Sequence, residues 1–357
     1  MQALGNRTKK NTRGITLMKR LLTAVCLMTV MGGMSLAASD EYVRSRQYRP
    51  HPGTEPEHAF FLIYIMDIDQ VSAQNQSFTV NMYLRLRWKD ERLAHSDPVA
   101  RTVPLDEVWN PNLLLANQQG LLRKSLPEVV KVEPDGMLTY HQRYVGTISQ
   151  PLHLHDFPCD THSFAVQFMS ASGKVAFLPD TFAAGSENIV GGTMAETLSL
   201  PDWKILNFEA KERPFRISAD LQEPGFVFTF TAKRHFSYYL WQMILPQVLI
   251  VVMSWAAFWI DPSMAGTQIG LATTPMLTLI AHRFLLASQL PRLPYMTRMD
   301  NFIMLSTILV FAAFMEVVIT SGLAHADRNE LGKTIDRWSR LAFPPIFICV
   351  IGLSFWI

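Results

Sequence analysis

Cysteine is nearly missing from this chain: three occur in 357 residues, so a fold stapled by internal disulfides is excluded. Cys26 falls in an N-terminal apolar run and Cys349 in a C-terminal one, which leaves Cys159 alone in the polar middle. Charge imbalance is missing too, with 32 basic against 30 acidic side chains and a net charge of +2. That balance speaks against a nucleic-acid partner, and a 49% hydrophobic content speaks against disorder. There is no helical repeat and no low-complexity tract. The apolar residues are concentrated in the last third.

What is present divides the chain into three. Lys19 and Arg20 precede the apolar run Leu21–Leu36, and Ser35-Leu36-Ala37 offers small residues for cleavage. Residues 1–38 are therefore expected to be a signal peptide, with Met18 as an alternative start. Residues 39–236 alternate apolar and polar side chains with period two, as in FTVNMYLRLRW and FVFTFTAKR, between turn signals such as EPDG and QEPG. This pattern predicts an exported, immunoglobulin-like antiparallel β-sandwich.

Residues 237–357 predict four membrane spans: Tyr238–Ile260, Pro262–Ser288, Phe302–Leu323 and a short Leu341–Ile357, whose first turn Pro344-Pro345 should distort. Trp241, Trp255 and Trp259 lie towards the ends of the first span, where aromatic belts form. An exported sandwich sends the first helix inward, which makes DPSMAGTQ an inner turn and PRLPYMTRMD an outer one. HADRNELGKTIDRWSR is then an inner loop carrying Arg328, Lys333, Arg337 and Arg340, as the positive-inside rule expects; Arg292 and Arg298 run against it.

On the second span, every third or fourth residue forms a stripe: Ser263, Thr267, Gly270, Thr274, Leu277, Ala281, Phe284 and Ser288. Its inner half is small and hydroxylic and its outer half apolar. A water-filled pore built from several copies accounts for such a stripe, with Leu277, Ala281 and Phe284 as hydrophobic constrictions. Helix–helix packing, which also favours small residues, is the alternative. Pro275 should kink the helix beside Thr274 and Leu277.

The stretch QPLHLHDFPCDTHSF (150–164) holds three histidines, two aspartates and a cysteine. Read locally it fits a zinc set from His153, His155, Cys159 and His162, a cysteine–histidine nucleophile, or a turn of mechanical purpose.

Several motifs in order carry a resemblance to a known family. VNMYLRLRWKDERL resembles the second-strand motif of glycine and GABA receptors, VWNPNLLLAN their WxPD segment, and Leu290-Pro291 with Pro294-Tyr295 their turn after the pore helix. The chain is thus similar, over nearly all of 58–357, to the pentameric ligand-gated ion channels, or Cys-loop receptors. The resemblance implies a homopentamer with no catalytic residues, no metal and no cofactor. Its partners would be a small-molecule agonist, permeating inorganic ions, the lipid bilayer and further copies of itself.

The resemblance also implies roles for particular residues. Phe157, Pro158 and Asp160 match the FPxD turn that presses on the pore domain. Gln150 and Phe164 stand where the animal receptors carry the loop cysteines, as in bacterial members. The short link between the third and fourth spans is bacterial in style as well, which implies an inner membrane and a periplasmic sandwich. Arg234, just before the first span, is the expected partner of Asp160, and Pro294 and Tyr295 complete the coupling set.

The implied agonist site lies between subunits. Tyr83, Arg85 and Arg143 match one face, and two guanidinia there suit an amino acid or another carboxylate; surface arginines paired with neighbouring acids are the alternative. Trp109, Phe215 and Glu223 are added from the opposite side, where Ala171 and Met169 depart from the usual aromatic and acid. Cation-conducting members place a glutamate at the inner mouth, where this chain has Thr267, while Gln268 replaces an arginine of the glycine and GABA receptors. The expectation is an anion-favouring or weakly selective pore lined by Thr267, Gly270, Thr274, Leu277, Ala281 and Phe284. The alternatives are a cation-selective or proton-gated channel, the latter through His282 (which lies too far from Glu316 to pair with it), and a non-conducting receptor.

Overall fold

The computed structural model describes residues 48–356 except 52, 54, 185, 186 and 288–292. The expected signal peptide, Leu290-Pro291, Arg292 and Ser288 lie outside the described residues.

Strands run from Glu57 to Arg234. They are β1 (Glu57–Ser72), β2 (Ser77–Lys89), β3 (Arg101–Pro104), β4 (Leu113–Leu115), β5 (Gln118–Lys124), β6 (Val129–Val132), β7 (Met137–Ser149) and β8 (Thr161–Ser170). After them come β9 (Val175–Pro179), β10 (Thr181–Ala184), β11 (Glu187–Val190), β12 (Gly192–Met194), β13 (Trp203–Glu212), β14 (Phe215–Arg216), β15 (Gln222–Glu223) and β16 (Gly225–Arg234). One sheet has the order β12-β1-β2-β7-β6-β3, with β5 on β7 and β9 on β1; the other is β13-β16-β8-β4. The result is a β-sandwich followed by a helical membrane region. Pairing is antiparallel except that β9 and β12 lie parallel along β1.

Alternation builds the sandwich. Along β2, Val80, Met82, Leu84, Leu86 and Trp88 point into the core, while Tyr83, Arg85 and Arg87 face outward and half-buried. The core is aromatic. Phe61 contacts Phe168, Phe177 and Phe226, and nearer the membrane Phe164 stacks on Phe230 at 4.9 Å and meets Phe78 and Trp203 edge-on.

Four helices follow: α1 (Phe236–Trp259), α2 (Ala265–Ala287), α3 (Arg298–His325) and α4 (Asn329–Trp356). α1, α3 and α4 are long and apolar enough to cross a membrane. α1 widens into a π-turn at Leu240–Ile244 just before Pro246, which has no N–H to offer the preceding turn. The fourth helix corrects the sequence expectation. It starts at Asn329, not Leu341, so most of the expected inner loop is helix and Pro344-Pro345 lie mid-helix. Charged side chains on its exposed inner turns hid the helical period from a hydropathy reading. Trp255 is also corrected: it is buried against Phe343 and Phe347, and only Trp241 and Trp259 face outward.

QEPG is likewise no simple turn, because Gln222–Glu223 pairs with Phe215–Arg216. EPDG is one, and it needs its glycine. Gly136 has φ +81°, its carbonyl accepts from Asp90 N–H at 2.9 Å, and an added Cβ would lie 2.6 Å from the Asp90 carbonyl oxygen. Gly136→Ala should destabilise the sandwich by about 1–3 kcal/mol. Gly120→Ala, at a similar φ with open space around it, should cost less. Thermal melts of the two purified variants check the order; equal melting points would refute it.

Candidate functional site

The 150–164 loop meets the helices at a junction of charged, aromatic and backbone contacts. Its base is tied without a disulfide. Gln150 Oε1 accepts the Ala165 N–H at 3.1 Å, and Phe164 anchors the other position in the aromatic core. The loop then presents two backbone carbonyls to α3. Arg298 N–H donates to His155 O at 2.9 Å and Met299 N–H to Phe157 O at 3.2 Å. The first turn of a helix has N–H groups with no internal partner, and here the sandwich accepts two of them. A capping box of Thr297 and Asp300 fixes that turn.

Side chains reinforce the seam. His155 stacks on Tyr295 at 3.9 Å, and the Tyr295 hydroxyl accepts from Leu154 N–H. Arg298 reaches Asp156 at 2.9 Å and the Phe355 carbonyl at 2.6 Å, linking loop, α3 and α4. Pro158 is buried and Pro294 exposed.

Asp160 and Arg234 form a two-pronged ion pair, Nε–Oδ1 at 2.8 Å and Nη2–Oδ2 at 3.0 Å, with both residues buried. His162 Nε2 lies 2.6 Å from Oδ2 and, against an ionised carboxylate, carries the proton. Arg234 also donates to the Tyr239 hydroxyl on α1 at 3.1 Å. Its guanidinium lies over the Trp203 ring at 4.2 Å, with Phe157 and Tyr239 further round. Burial alone would raise the Asp160 pKa. The hydrogen bonds from His162 and Arg234, with the Arg234 charge, outweigh it and hold the carboxyl down at about 2. Trp203 and Tyr239 were not singled out from the sequence, and His162 and Arg298 were named there only as a possible zinc ligand and as an exception to the positive-inside rule. Trp203 in LPDW and Tyr239 in SYYL carry no local signal beyond being aromatic near the chain's entry to the membrane.

On α2, Gln268, Ala272, Pro275 and Leu279 are buried against the other helices. Thr267, Gly270, Thr274, Leu277, Ala281 and Phe284 all lie exposed, Leu277 at 68% and Phe284 at 75%. Gln268, which replaces an arginine of the glycine and GABA receptors, lies on the side of α2 away from the exposed stripe. It is fully buried, donating to the Ala257 carbonyl at 3.3 Å and accepting from the Ser321 hydroxyl at 2.9 Å. It anchors α2 inward. Towards the outer end His282 Nδ1 meets Gln247 Oε1 at 3.1 Å.

The expected agonist residues are only partly gathered. Tyr83 bonds His141, and Arg143 bonds Asn81 at 3.0 Å. Burial first, then Arg85 and Lys131, keep His141 below the usual histidine range. Arg85 is already paired: Asp180 holds it at 2.8 Å, takes Arg87 at 3.5 Å and is nearly buried itself. A cavity of about 590 Å³ opens beside Arg85, Arg87 and His141, with Glu133 and Asp135 on its rim. Phe215 and Glu223 face each other across the β14–β15 hairpin. Trp109 is a correction. It is 6% exposed and packs edge-on to Trp88 in the core.

The sequence model of the neurotransmitter-gated ion-channel ligand binding domain matches residues 39–189, and that of the neurotransmitter-gated ion-channel transmembrane region matches 243–330. Among curated relatives, the chain is 28% identical over 287 residues to the gamma-aminobutyric acid receptor subunit beta-like of Drosophila melanogaster, covering 75% of this chain and 57% of that one. It is 28% identical to subunit beta-4 of Gallus gallus (75% and 56%) and 27% identical to subunit beta of Lymnaea stagnalis (75% and 56%). The chain thus spans a little over half the length of the curated relatives it matches.

The ion pair sets an acid limit. Asp160 titrates near 2 in the folded protein against an ordinary 3.8, so its contribution is complete above about pH 4 and is lost as pH falls towards 2. The loss is on the order of 2 kcal/mol. Asp160→Asn should flatten that part of the stability–pH curve, and an unchanged curve would exclude the pair as its cause. Reversing either charge leaves two like charges buried and should cost about 3–5 kcal/mol. The double reversal, Asp160→Arg with Arg234→Asp, should recover part of it; strict additivity would refute the coupling.

Proposed function

The chain belongs to the neurotransmitter-gated ion channel family, and on that premise we propose that it is a homopentameric ligand-gated ion channel. The α2 helices line its pore, and an agonist binds between the sandwiches. The observation that carries this reading is the junction. A sandwich that places two loop carbonyls on the first turn of α3 and a buried ion pair at the head of α1 is built to pass displacement into a helical bundle. An agonist that binds the open arrangement more tightly shifts the closed–open equilibrium by that difference. We place the channel in a bacterial inner membrane with a periplasmic sandwich, since the loop cysteines are replaced by Gln150 and Phe164 and the α3–α4 link is only Ala326–Arg328. The relatives matched above are animal proteins.

The agonist class follows from the outward face of β2 and β7. Arg85, Arg87 and His141 surround a cleft whose strongest recognition element is a guanidinium fork, which favours a carboxylate such as an amino acid. Asp180 is paired with Arg85, so an agonist carboxylate competes with an internal one. Arg85→Ala should weaken agonist potency by about 2–5 kcal/mol, more than tenfold in concentration. Asp180→Asn, which frees the guanidinium, should move the dose–response curve the other way. Curves that ignore both substitutions would remove Arg85 from the site.

For the permeating ion, α2 carries no carboxylate, so no ring of negative charge opposes anions. The reading is an anion-favouring or weakly selective pore. Reconstituted channels under a salt gradient, screened with amino acids, amines and pH steps, test the whole proposal. The reversal potential should lie on the chloride side, and Thr267→Glu should move it towards the cation value. A wild-type reversal at the cation equilibrium potential would overturn the anion reading, and silence under every stimulus would overturn the channel.

A further inference from the structure

At the membrane end of the sandwich, the register of β13 on β16 sets Lys204 directly opposite Lys233. The next pair along, Trp203 and Arg234, is buried, so alternation turns both lysines to the other face of the sheet, where both are exposed. Side chains directly opposite on antiparallel strands stand about 5 Å apart, and like charges there destabilise the pairing. Neither lysine forms a hydrogen bond or ion pair among the described residues, and Asp202, the acid nearest Lys204 in sequence, pairs with neither. Lys211, further along β13, is by contrast answered by Glu209 at 2.6 Å. The exposed Thr161 stands beside Lys233 on β8, so the row reads Lys204, Lys233, Thr161. Just past this row the chain enters the membrane. Lys233 is three residues before Phe236, which keeps their Cα atoms within about 11 Å. Phe236, Tyr238 and Trp241 on the first turns of α1 are exposed, and Phe236 packs edge-on against Phe355 near the end of α4 at 6.4 Å. Exposed aromatic side chains at the end of a span mark the level where headgroups meet acyl chains.

We propose that the Lys204–Lys233 row binds the headgroup of an anionic phospholipid of the outer leaflet, whose acyl chains run down beside the exposed aromatics of α1. The proposal needs only the membrane placement of the helical region, and neither agonist binding nor conduction. A phosphate between two ammonium groups replaces their repulsion with two charge-assisted hydrogen bonds. The Thr161 hydroxyl is a further donor beside it. A headgroup of net negative charge fits better than a zwitterionic one, whose choline brings a third cation to the row. Occupancy bears on the junction, because the same two strand ends carry Trp203 and Arg234 on their buried face. There the Arg234 guanidinium lies over the Trp203 ring at 4.2 Å and reaches Asp160. A phosphate that draws Lys204 and Lys233 together therefore holds β13 against β16 at the point where the ion pair is set.

Thermal melts of the full chain in phosphatidylcholine nanodiscs, with and without phosphatidylglycerol, test this together with lipid retention counted by native mass spectrometry. Phosphatidylglycerol should raise the wild-type melting temperature and stay bound where phosphatidylcholine is lost. Lys204→Gln and Lys233→Gln should each weaken phosphatidylglycerol binding about fivefold, the weight of one basic side chain at an anionic surface. Lys204→Arg should preserve the binding. Lys131→Gln, on β6 of the other sheet, should leave it unchanged. Glycerol 3-phosphate in solution, which has the headgroup phosphate without acyl chains, should reproduce none of the melting shift. A wild type that retains both lipids equally overturns the site without needing any variant to fold, as does an equal loss in Lys131→Gln. A full shift from glycerol 3-phosphate overturns the lipid and leaves a site for soluble anions. Currents play no part in these readouts, so failure of the channel reading is a separate result.

Discussion

The Asp160–Arg234 ion pair is the interaction on which the joining of the two regions depends. Taking two charges out of water is unfavourable, and their attraction offsets this only when every remaining donor and acceptor is satisfied. Here His162 and Tyr239 take the spare positions, and Trp203, Phe157 and Tyr239 surround the guanidinium with ring faces. Arg234 closes β16 and Tyr239 lies in the first turn of α1, so one side chain fixes where the chain enters the membrane. Asp160 opens β8 from the far end of the 150–164 loop. The pair therefore locks the loop, the last strand and the first helix into one body.

Around that lock the other contacts are of a different kind. The loop touches α3 through two backbone hydrogen bonds, a stacked His155–Tyr295 pair and the half-exposed Arg298–Asp156 bridge. Exposed ion pairs contribute little, and backbone bonds at a helix start are readily exchanged for water. A tight joint to α1 beside a looser joint to α3 gives the junction a fixed point and a sliding one. In the proposed channel this lets the sandwich turn about the head of α1 while it moves the head of α3.

The sequence made some of this legible and hid the rest for physical reasons. Strand alternation in FTVNMYLRLRW and FVFTFTAKR told inward from outward residues because a strand's period of two survives any packing. The pairing of Asp160 with Arg234 was readable because the loop and the start of the first span had to meet. Trp203 was not, since nothing in a single tryptophan tells which guanidinium it will cover. Trp109 misled because a motif match names a position without saying which way the side chain turns. The fourth helix was cut short because a membrane boundary read from hydropathy stops at the first charges, while the backbone keeps its helix through Arg337 and Arg340 into the polar region. Asp180 was invisible as the partner of Arg85, being ninety-five residues away with no pattern to connect them.

The helical region repeats the junction's logic at α2. One face is pinned by polar contacts at both ends, Gln268 to Ala257 and Ser321 on the inner side and His282 to Gln247 on the outer. The opposite face carries threonines whose hydroxyls already donate to their own helix: Thr273 to Ile269, Thr274 to Gly270 and Thr278 to Thr274. Those hydroxyls no longer need a partner from another helix, and their lone pairs stay available to water. Between the pins lies Pro275, which cannot donate to the preceding turn and so leaves a soft point in the backbone. A rod fixed at two ends and soft at its centre bends most at the centre, next to Thr274 and Leu277. Leu277 is the first large apolar side chain of the exposed stripe, so the region where bending is easiest is also the region where a small change in radius decides between wet and dry.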